Sequence, residues 1–310
     1  EIADHSYPYF ISEDWADPAR AIRIEALIES SIKAGKQISL KQHQIMQQDF
    51  VDQRALDVLD KILNIESDDE DVQEMVGYLK RWNGSTDKDS VAATIFFTWM
   101  RHLKSYLFKD DLKGKWGNAN LSRHLKMIIG NLPVTKIEQV LTQSGVDWCD
   151  RLDTDELETC EEIKIDSLLS AHYELSKRLG SDMSDWNWGS IHSARYKHKP
   201  FSSVKGLDFI FERKVARGGS PDSINVSGFY YDVDHGYLQT TGPGFRQAIA
   251  FPEKEDLYLF MNSTGQSGNV FSTHYDDMIE PFLDGEYSSI NANKVNLINT
   301  LKLVPKTTTN

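Results

Sequence analysis

The sequence predicts an α+β fold, in which a helical half comes first and a strand-rich half follows. Up to residue 181, apolar residues recur at the spacing of three and four that one face of a helix requires. From residue 182 onward, short β-rich runs alternate with turn residues. Hydrophobic residues make up 40% of the 310 positions, which is enough for a sizeable core. Helices followed by strands are typical of α+β proteins.

The helical half carries boundary signals as well as apolar stripes. Asp17 is an N-cap candidate with Pro18 at the first helical position, and Gly35 can end that helix. Ser39 and Gln42 form a capping-box pattern for the next helix. The stripes that we expect to face the core are Ala21, Ile24, Ile28 and Ile32; Ala55, Leu56, Leu59, Ile62 and Leu63; Val72, Met75, Val76 and Leu79; Ala92, Ile95, Phe96, Trp99, Met100, Leu103 and Leu107; Leu121, Leu125, Ile128 and Ile129; and Ile165, Leu168, His172, Leu175 and Leu179.

The strand-rich half contains runs of β-branched and aromatic residues between turn residues. We expect strands at 207–211, 223–230, 236–240, 245–251, 256–261 and 295–304. Trp186-Asn187-Trp188-Gly189 precedes them and predicts a structured loop, because two indoles flank an amide next to a glycine. We therefore divide the chain into a helical region, 1–181, and a strand-rich region, 182–310.

Composition excludes several classes of function. Lys and Arg number 34 and Asp and Glu number 47, so the formal net charge is −13, which argues against a nucleic-acid partner. No run of 18 apolar residues occurs, so we expect no membrane partner. Two cysteines exclude a four-cysteine zinc module. Cys149 and Cys160 are compatible equally with a short-range disulfide and with two buried thiols, because the sequence does not give their Cα separation.

Other candidate sites have ordinary structural interpretations. The acidic run 68–71 is typical of a helix N-terminus, because the helix dipole favours negative charge there. His192, His198 and His274 match no metal-binding spacing. Ser267 lies between two glycines, but the second glycine is one position too early for a nucleophile elbow. Among 47 acidic residues, no spacing rule selects a glycosidase pair.

Five motifs follow one another along the strand-rich region: Trp186-Asn187-Trp188-Gly189, Asp222-Ser223-Ile224-Asn225, Gly242-Pro243-Gly244-Phe245-Arg246, Gly265-Gln266-Ser267-Gly268-Asn269 and Ser272-Thr273-His274-Tyr275-Asp276-Asp277. This ordered set resembles the penicillin acylase (penicillin amidase) family. Tyr7-Pro8-Tyr9 and the run from Pro18 to Ile24 resemble the family's entry into the helical part of its large subunit. The resemblance extends over nearly the whole chain, and an αββα core is the fold that it implies. The positions that match the family's motifs in the strand-rich region are Trp188, His192, Asn225, Arg246, Gly265, Gln266, Ser267, Gly268, His274, Tyr275 and Asp276.

The resemblance implies a specific chemistry. Family members are N-terminal-nucleophile hydrolases, in which a precursor cuts itself and the new N-terminal Ser attacks a linear amide with its own α-amine as base. Residue 1 here is Glu1, so we expect the nucleophilic Ser and the oxyanion Asn to lie outside this chain. Arg20 matches a family arginine near the catalytic centre and is the one supporting catalytic residue that we expect. Asp14 lies near the position of a family calcium ligand.

These observations together predict the C-terminal part of the large subunit of an acylase. Its partners would be the rest of that subunit, the small subunit and an acyl amide: an acyl-homoserine lactone, a penicillin or a lipopeptide. The chemistry needs no cofactor, whereas a structural calcium ion is compatible with the family. Family members are mostly exported to the periplasm, which a Cys149–Cys160 bridge would fit. The alternative is a non-catalytic module that binds a small ligand or a protein.

Overall fold

The computed structural model describes residues 6–13, 17–35, 38–112, 125, 127–143, 148–251, 257–290 and 301–302. Within these ranges, the long helices precede residue 180 and the strands follow residue 191. The long helices are α1 (Ala19–Lys33), α2 (Leu40–Gln47), α3 (Gln53–Ile62), α4 (Glu70–Lys80), α5 (Val91–Phe108), α6 (Val134–Thr142) and α7 (Cys160–Leu179).

Polar side chains fix where several of these helices begin. The capping box predicted for α2 is confirmed, since the Ser39 side chain and the Gln42 side chain each bond the other's backbone amide. Thr159 and Glu162 form a second capping box at α7, which the sequence analysis did not identify. Helix α1 begins one residue later than predicted, at Ala19, whose amide donates to the Asp17 carboxylate at 2.9 Å.

Helices α5 and α7 form the centre of the helical half. The predicted stripes on α4 and α5 are buried throughout, and Trp99 of α5 is fully enclosed. Its indole Nε1–H donates to the Ser167 hydroxyl at 3.0 Å, and that hydroxyl donates to the Lys164 carbonyl at 2.9 Å. A buried indole therefore keeps its hydrogen bond inside an otherwise apolar core.

Two sheets follow. The strands are β1 (His192–Tyr196), β2 (Arg213–Ala216), β3 (Gly228–Asp232), β4 (Gly236–Thr241), β5 (Phe245–Ala250), β6 (Leu257–Asn262) and β7 (Ser288–Ile290), and the short helices are α8 (Trp188–Ile191), α9 (Asp208–Phe211) and α10 (Ile279–Leu283). The first sheet has the order β2-β1-β4-β3, with β1 and β4 parallel and the other neighbours antiparallel. The second has the order β5-β6-β7 and is antiparallel. The predicted α+β class is confirmed.

The helical half and the first sheet share one core. The Phe97 ring of α5 lies 5.0 Å from the Trp188 ring, which lies 5.1 Å from the Tyr237 ring of β4. Trp186 and Trp188 are fully buried, so the predicted loop around them is part of this core. The division into 1–181 and 182–310 marks the change in secondary structure, and as a domain boundary it stays a prediction.

Several predicted elements differ from the structure. The run 207–211 is the short helix α9 and not a strand, because a brief apolar run has no period that separates the two. Residues 223–227 form a loop before β3, and 295–304 lies mostly outside the described residues. In the stripe predicted around residue 125, Leu121 lies outside the described residues, Ile129 is buried and Ile128 is exposed. Strands β1, β2 and β7 and helix α6 were not predicted.

Two apolar surfaces of the chain are exposed. On α1, Ile22, Ile24 and Ile32 are 50%, 42% and 64% exposed, so the core-facing stripe predicted there is wrong for this chain. On β5, Phe245 and Ile249 are exposed on the face opposite the buried positions of the same strand. Within the described ranges, no helix has both the length and the apolar character needed to cross a bilayer.

Candidate functional site

Arg20 lies in the first turn of α1 and is exposed. No carboxylate of the described residues lies within ion-pair distance of it. Its helix is held firmly nonetheless. Arg54 of α3 pairs with Asp17 at 2.9 Å, and Arg23 grips Asp49 through two nitrogens at 3.1 and 2.8 Å. The structure therefore presents an accessible guanidinium on a fixed helix end.

A cluster of carboxylates lies beside this helix end. Asp52 caps α3 by accepting from the Ala55 amide at 2.8 Å and is almost completely buried. Burial, and then the neighbouring charge of Asp222, raise the pKa of Asp52 to about 6. Burial also raises the pKa of Asp222, whereas the nearby guanidinium groups of Arg54 and Arg20 act in the opposite direction. Arg20 thus lies within electrostatic range of the loop that carries Asp222.

Asn225 joins this loop to the helical half. Its backbone amide donates to the Asp49 carbonyl at 2.9 Å, and its side-chain amide donates to Gln48 at 2.9 Å. Its side-chain oxygen accepts from Arg217 at 3.1 Å. Because both ends of the carboxamide are engaged and the residue is buried, Asn225 is a structural tie rather than a free donor for a substrate.

His192 and Trp188 form the other anchor of the loop. The two rings stack with centroids 4.7 Å apart, and the Trp188 indole donates to the Gly219 carbonyl at 3.2 Å. His192 bonds the Arg217 carbonyl through Nδ1 at 2.6 Å and the Ser227 hydroxyl through Nε2 at 3.0 Å. Burial lowers the pKa of His192 to about 3, so the ring is neutral at pH 7.

Arg246 and Arg217 are both buried and both lie over the Phe282 ring, at 3.8 and 5.8 Å from its centroid. Arg246 donates to the Phe282 carbonyl at 2.8 Å. Burial lowers the pKa of Arg246 to about 10, and the charge of Arg217 adds to that effect. Phe282 of α10 thus offers one aromatic ring to both guanidinium groups.

The glycine-rich motif that contains Ser267 closes on a downstream turn. The Ser267 amide donates to the His274 carbonyl at 2.9 Å, and Gly265 packs against the same backbone. Gln266 and Gly268 are exposed at this turn. The geometry is that of a backbone clasp, and no histidine or carboxylate hydrogen bonds to the Ser267 hydroxyl among the described contacts.

The downstream turn is itself tied to the first sheet. The Tyr275 hydroxyl contacts the His198 ring at 3.0 Å and donates to the Phe211 carbonyl. Asp276 pairs with Arg213 of β2 at 2.5 Å. His274 bonds Asp277 through Nδ1 at 2.8 Å.

The two cysteines and Asp14 complete the set of predicted residues. Cys149 and Cys160 form a disulfide, with Cα atoms 4.9 Å apart, which joins the segment before α7 to its first turn. Asp14 lies outside the described residues. Within the described part of the chain, no group of three or more His, Cys, Asp or Glu side chains is arranged to hold a metal ion. Asp14 is the one calcium ligand that the resemblance implies, so calcium binding stays a prediction.

Sequence reasoning missed four residues of this region: Asp52, Arg217, Asp222 and Ser227. Asp52 carried a usable signal, because an aspartate directly before an amphipathic stripe is an N-cap candidate. The other three act through contacts with residues far away in sequence, as Ser227 does with His192. No local sequence pattern predicts contacts of this kind.

The fold and the family are both shown by comparison with known proteins. The structure is similar to that of a thermostable penicillin G acylase from Alcaligenes faecalis, with a TM-score of 0.56 and 13% identity, covering 98% of this chain and 56% of that one. The family model for penicillin amidase matches residues 1–298. The chain therefore belongs to the penicillin amidase family.

Its curated relatives are acyl-homoserine lactone acylases named QuiP. The protein from Pseudomonas fluorescens Pf0-1 is 25% identical over 300 residues, and that from Pseudomonas syringae pv. tomato DC3000 is 26% identical over 307 residues. Each alignment covers 92% of this chain and 35% of the relative. The chain thus spans about a third of the length of these curated relatives.

Proposed function

We propose that these 310 residues are the C-terminal part of the large subunit of an amidohydrolase, whose nucleophilic Ser lies outside them. The reaction would be hydrolysis of a linear amide to a carboxylic acid and an amine. The seryl oxygen would attack the carbonyl carbon, its proton would pass through the α-amine to the leaving amine, and water would then release the acyl group. The observation that carries this proposal is the match of the penicillin amidase model to residues 1–298.

The role that we propose for Arg20 is orientation. An exposed guanidinium on a fixed helix end can hold a polar group of the substrate, or the oxyanion-stabilising Asn of another segment, in one geometry. The Asp17–Arg54 and Arg23–Asp49 pairs support this role, because they fix α1 and leave Arg20 without an ion pair to any described carboxylate. The charge of Asp222 lies within electrostatic range of Arg20.

The two exposed apolar surfaces are the contact regions that we propose for the rest of the assembly. Ile22, Ile24 and Ile32 of α1, and Phe245 and Ile249 of β5, would meet the remaining part of the large subunit and the small subunit. The exposed face of β5 that carries Phe245 and Ile249 would need cover, so we propose that β5-β6-β7 lies inside an αββα core.

Acyl-homoserine lactones are the substrate class that we propose first, because the curated relatives carry that activity in their names. Penicillins and lipopeptides are the other members of the predicted set. The disulfide supports an exported location, because disulfides persist in oxidising compartments such as the periplasm.

The experiment is to produce this chain together with the upstream sequence of its precursor and to measure release of homoserine lactone from N-acyl derivatives. Arg20→Ala should lower kcat by about 10²-fold, and Arg20→Lys should recover part of that loss. Lys33→Ala, at the other end of α1, is the control and should leave kcat unchanged. A processed assembly that cleaves no acyl-homoserine lactone, penicillin or lipopeptide would overturn the proposal and favour a binding module.

A further inference from the structure

A cleft of about 910 Å³ opens between α5, α7 and the end of β3. Its walls include Tyr106, Leu169, Tyr173 and Val233, and basic side chains lie at one end. Small-molecule sites typically have volumes of about 300–1,000 Å³ and combine apolar walls with a few polar groups. This cleft meets that description and contains none of the residues placed in the amidase reaction.

The base of the cleft is rigid. Glu174 accepts from His102 at 2.9 Å, from the Tyr231 hydroxyl at 2.6 Å and from Arg101. Although burial opposes it, these bonds together lower the pKa of Glu174 to about 2. The Arg101 guanidinium also covers the Tyr231 ring at 3.9 Å. Glu174 is therefore ionised and paired with Arg101, which offsets its repulsion of an anion in the cleft.

Two cations of the last turn of α7 line the cleft. Arg178 donates to the Val233 carbonyl at 2.7 Å and contacts the Tyr231 hydroxyl at 3.3 Å, both of them uncharged acceptors. Neither Lys177 nor Arg178 forms an ion pair with a carboxylate of the described residues. Two carboxylates line the cleft. Glu174 is paired with Arg101, whereas Asp166 has no ion pair among the described residues. A chain of net charge −13 thus holds two unpaired cations at the edge of a cleft.

We propose that this cleft binds a small organic anion. Its carboxylate would lie at Lys177 and Arg178, and its apolar body would lie against Leu169, Tyr173 and Val233. Basic residues in the last turn of a helix also interact favourably with the negative end of the helix dipole. If Lys177 and Arg178 served only to stabilise α7 in this way, the cleft would bind no ligand. The two roles therefore predict different results for the same variants. This site is independent of the proposed amidase function.

Calorimetric titration of the 310-residue chain with benzoate tests the proposal, with benzyl alcohol as the neutral analogue of the same ring. We expect saturable one-site binding of benzoate and at least tenfold weaker binding of benzyl alcohol. Lys177→Glu should weaken benzoate binding about tenfold or more, and Tyr173→Ala should weaken both compounds. Lys80→Glu, in the last turn of α4 and outside the cleft, should bind benzoate as the unchanged chain does.

Thermal unfolding of each variant supplies the second measurement. Lys177→Glu and Lys80→Glu each replace a lysine in the last turn of a helix by a glutamate, so similar losses of stability with unequal losses of binding support the site. Equal losses of benzoate binding in the two variants would overturn the proposal, because they would indicate that benzoate responds to the net charge of the chain and not to the cleft. Equal affinity for benzoate and benzyl alcohol, or no saturable binding of benzoate, would overturn it as well.

Discussion

The Nδ1 atom of His192 lies 2.6 Å from the carbonyl oxygen of Arg217, and this bond fixes which nitrogen of the buried ring carries the proton. A carbonyl oxygen only accepts, so Nδ1 is the protonated nitrogen and Nε2 accepts from the Ser227 hydroxyl. The neutral ring therefore forms hydrogen bonds with both neighbours. If Nε2 were also protonated, it could no longer accept from the Ser227 hydroxyl, and that hydroxyl would have to rotate. His192 holds the loop to the core only in its neutral form.

This arrangement predicts a loss of stability in mild acid. The folded pKa of about 3 lies below the ordinary value of 6.5, so the unfolded chain binds the proton first as pH falls. Stability from His192 is complete above pH 6.5 and should decrease by about 2 kcal/mol between pH 7 and pH 5. Urea denaturation at the two pH values measures this change. His192→Gln should have lower stability but should lack this part of the pH dependence; equal slopes in both proteins would contradict the prediction.

Gly265 and Gly268 belong to one motif but should differ in their response to a methyl group. A Cβ atom at Gly265 would lie 2.1 Å from the His274 carbonyl oxygen, whereas one at Gly268 meets nothing within 4 Å. We expect Gly265→Ala to destabilise the chain by about 1–3 kcal/mol, because the backbone clasp has to open. Gly268→Ala is the matched control and should stay within about 0.5 kcal/mol of the unchanged chain. Equal urea midpoints for the two variants would count against the clasp.

The helices with complete apolar stripes could be predicted from the sequence, and the exposed apolar surfaces could not. Val72, Met75, Val76 and Leu79 follow the helical period and are all buried. Ile24 and Ile32 follow the same period on α1 and are exposed. Periodicity identifies an apolar face, but it does not tell which polypeptide covers that face.

Short elements and long-range contacts set a second limit to prediction. Strands β1 and β2 carry His192, Arg195 and Arg213 among few apolar residues, so they lack the alternation that indicates a strand. Asn225 and Arg246 could be identified as structural positions from the family motifs. Their partners Gln48 and Phe282 could not, because those contacts span 177 and 36 residues of sequence.

The Cys149–Cys160 disulfide should contribute measurably to stability. It closes a loop over a sequence separation of 11, and closing a loop of this length removes about 3 kcal/mol of chain entropy from the unfolded state. Reduction should therefore lower the urea midpoint of the chain. The double variant Cys149→Ser, Cys160→Ser should have the lower midpoint with or without reductant. A midpoint that reductant leaves unchanged in the unsubstituted chain would show that the two sulfurs are not bonded in solution.

Asp52 should produce the opposite pH dependence to His192. Its folded pKa of about 6 lies above the ordinary value of 3.8, so the folded chain keeps the proton longer as pH rises. Ionisation of the buried carboxyl then costs stability across the window from pH 3.8 to 6, by about 3 kcal/mol in total.

Asp52→Asn removes this titration and retains an oxygen that can accept from the Ala55 amide. The variant should therefore gain stability over the unchanged chain as pH rises from 4 to 7. Asp69→Asn changes another N-cap aspartate, one that lies at the surface of α4, and is the control for loss of charge at a helix N-terminus. A constant stability difference between Asp52→Asn and the unchanged chain across this range would show that Asp52 is ionised throughout. In that case the hydrogen bonds from Ser220 and Ala55 and the nearby guanidinium group of Arg54 outweigh its burial.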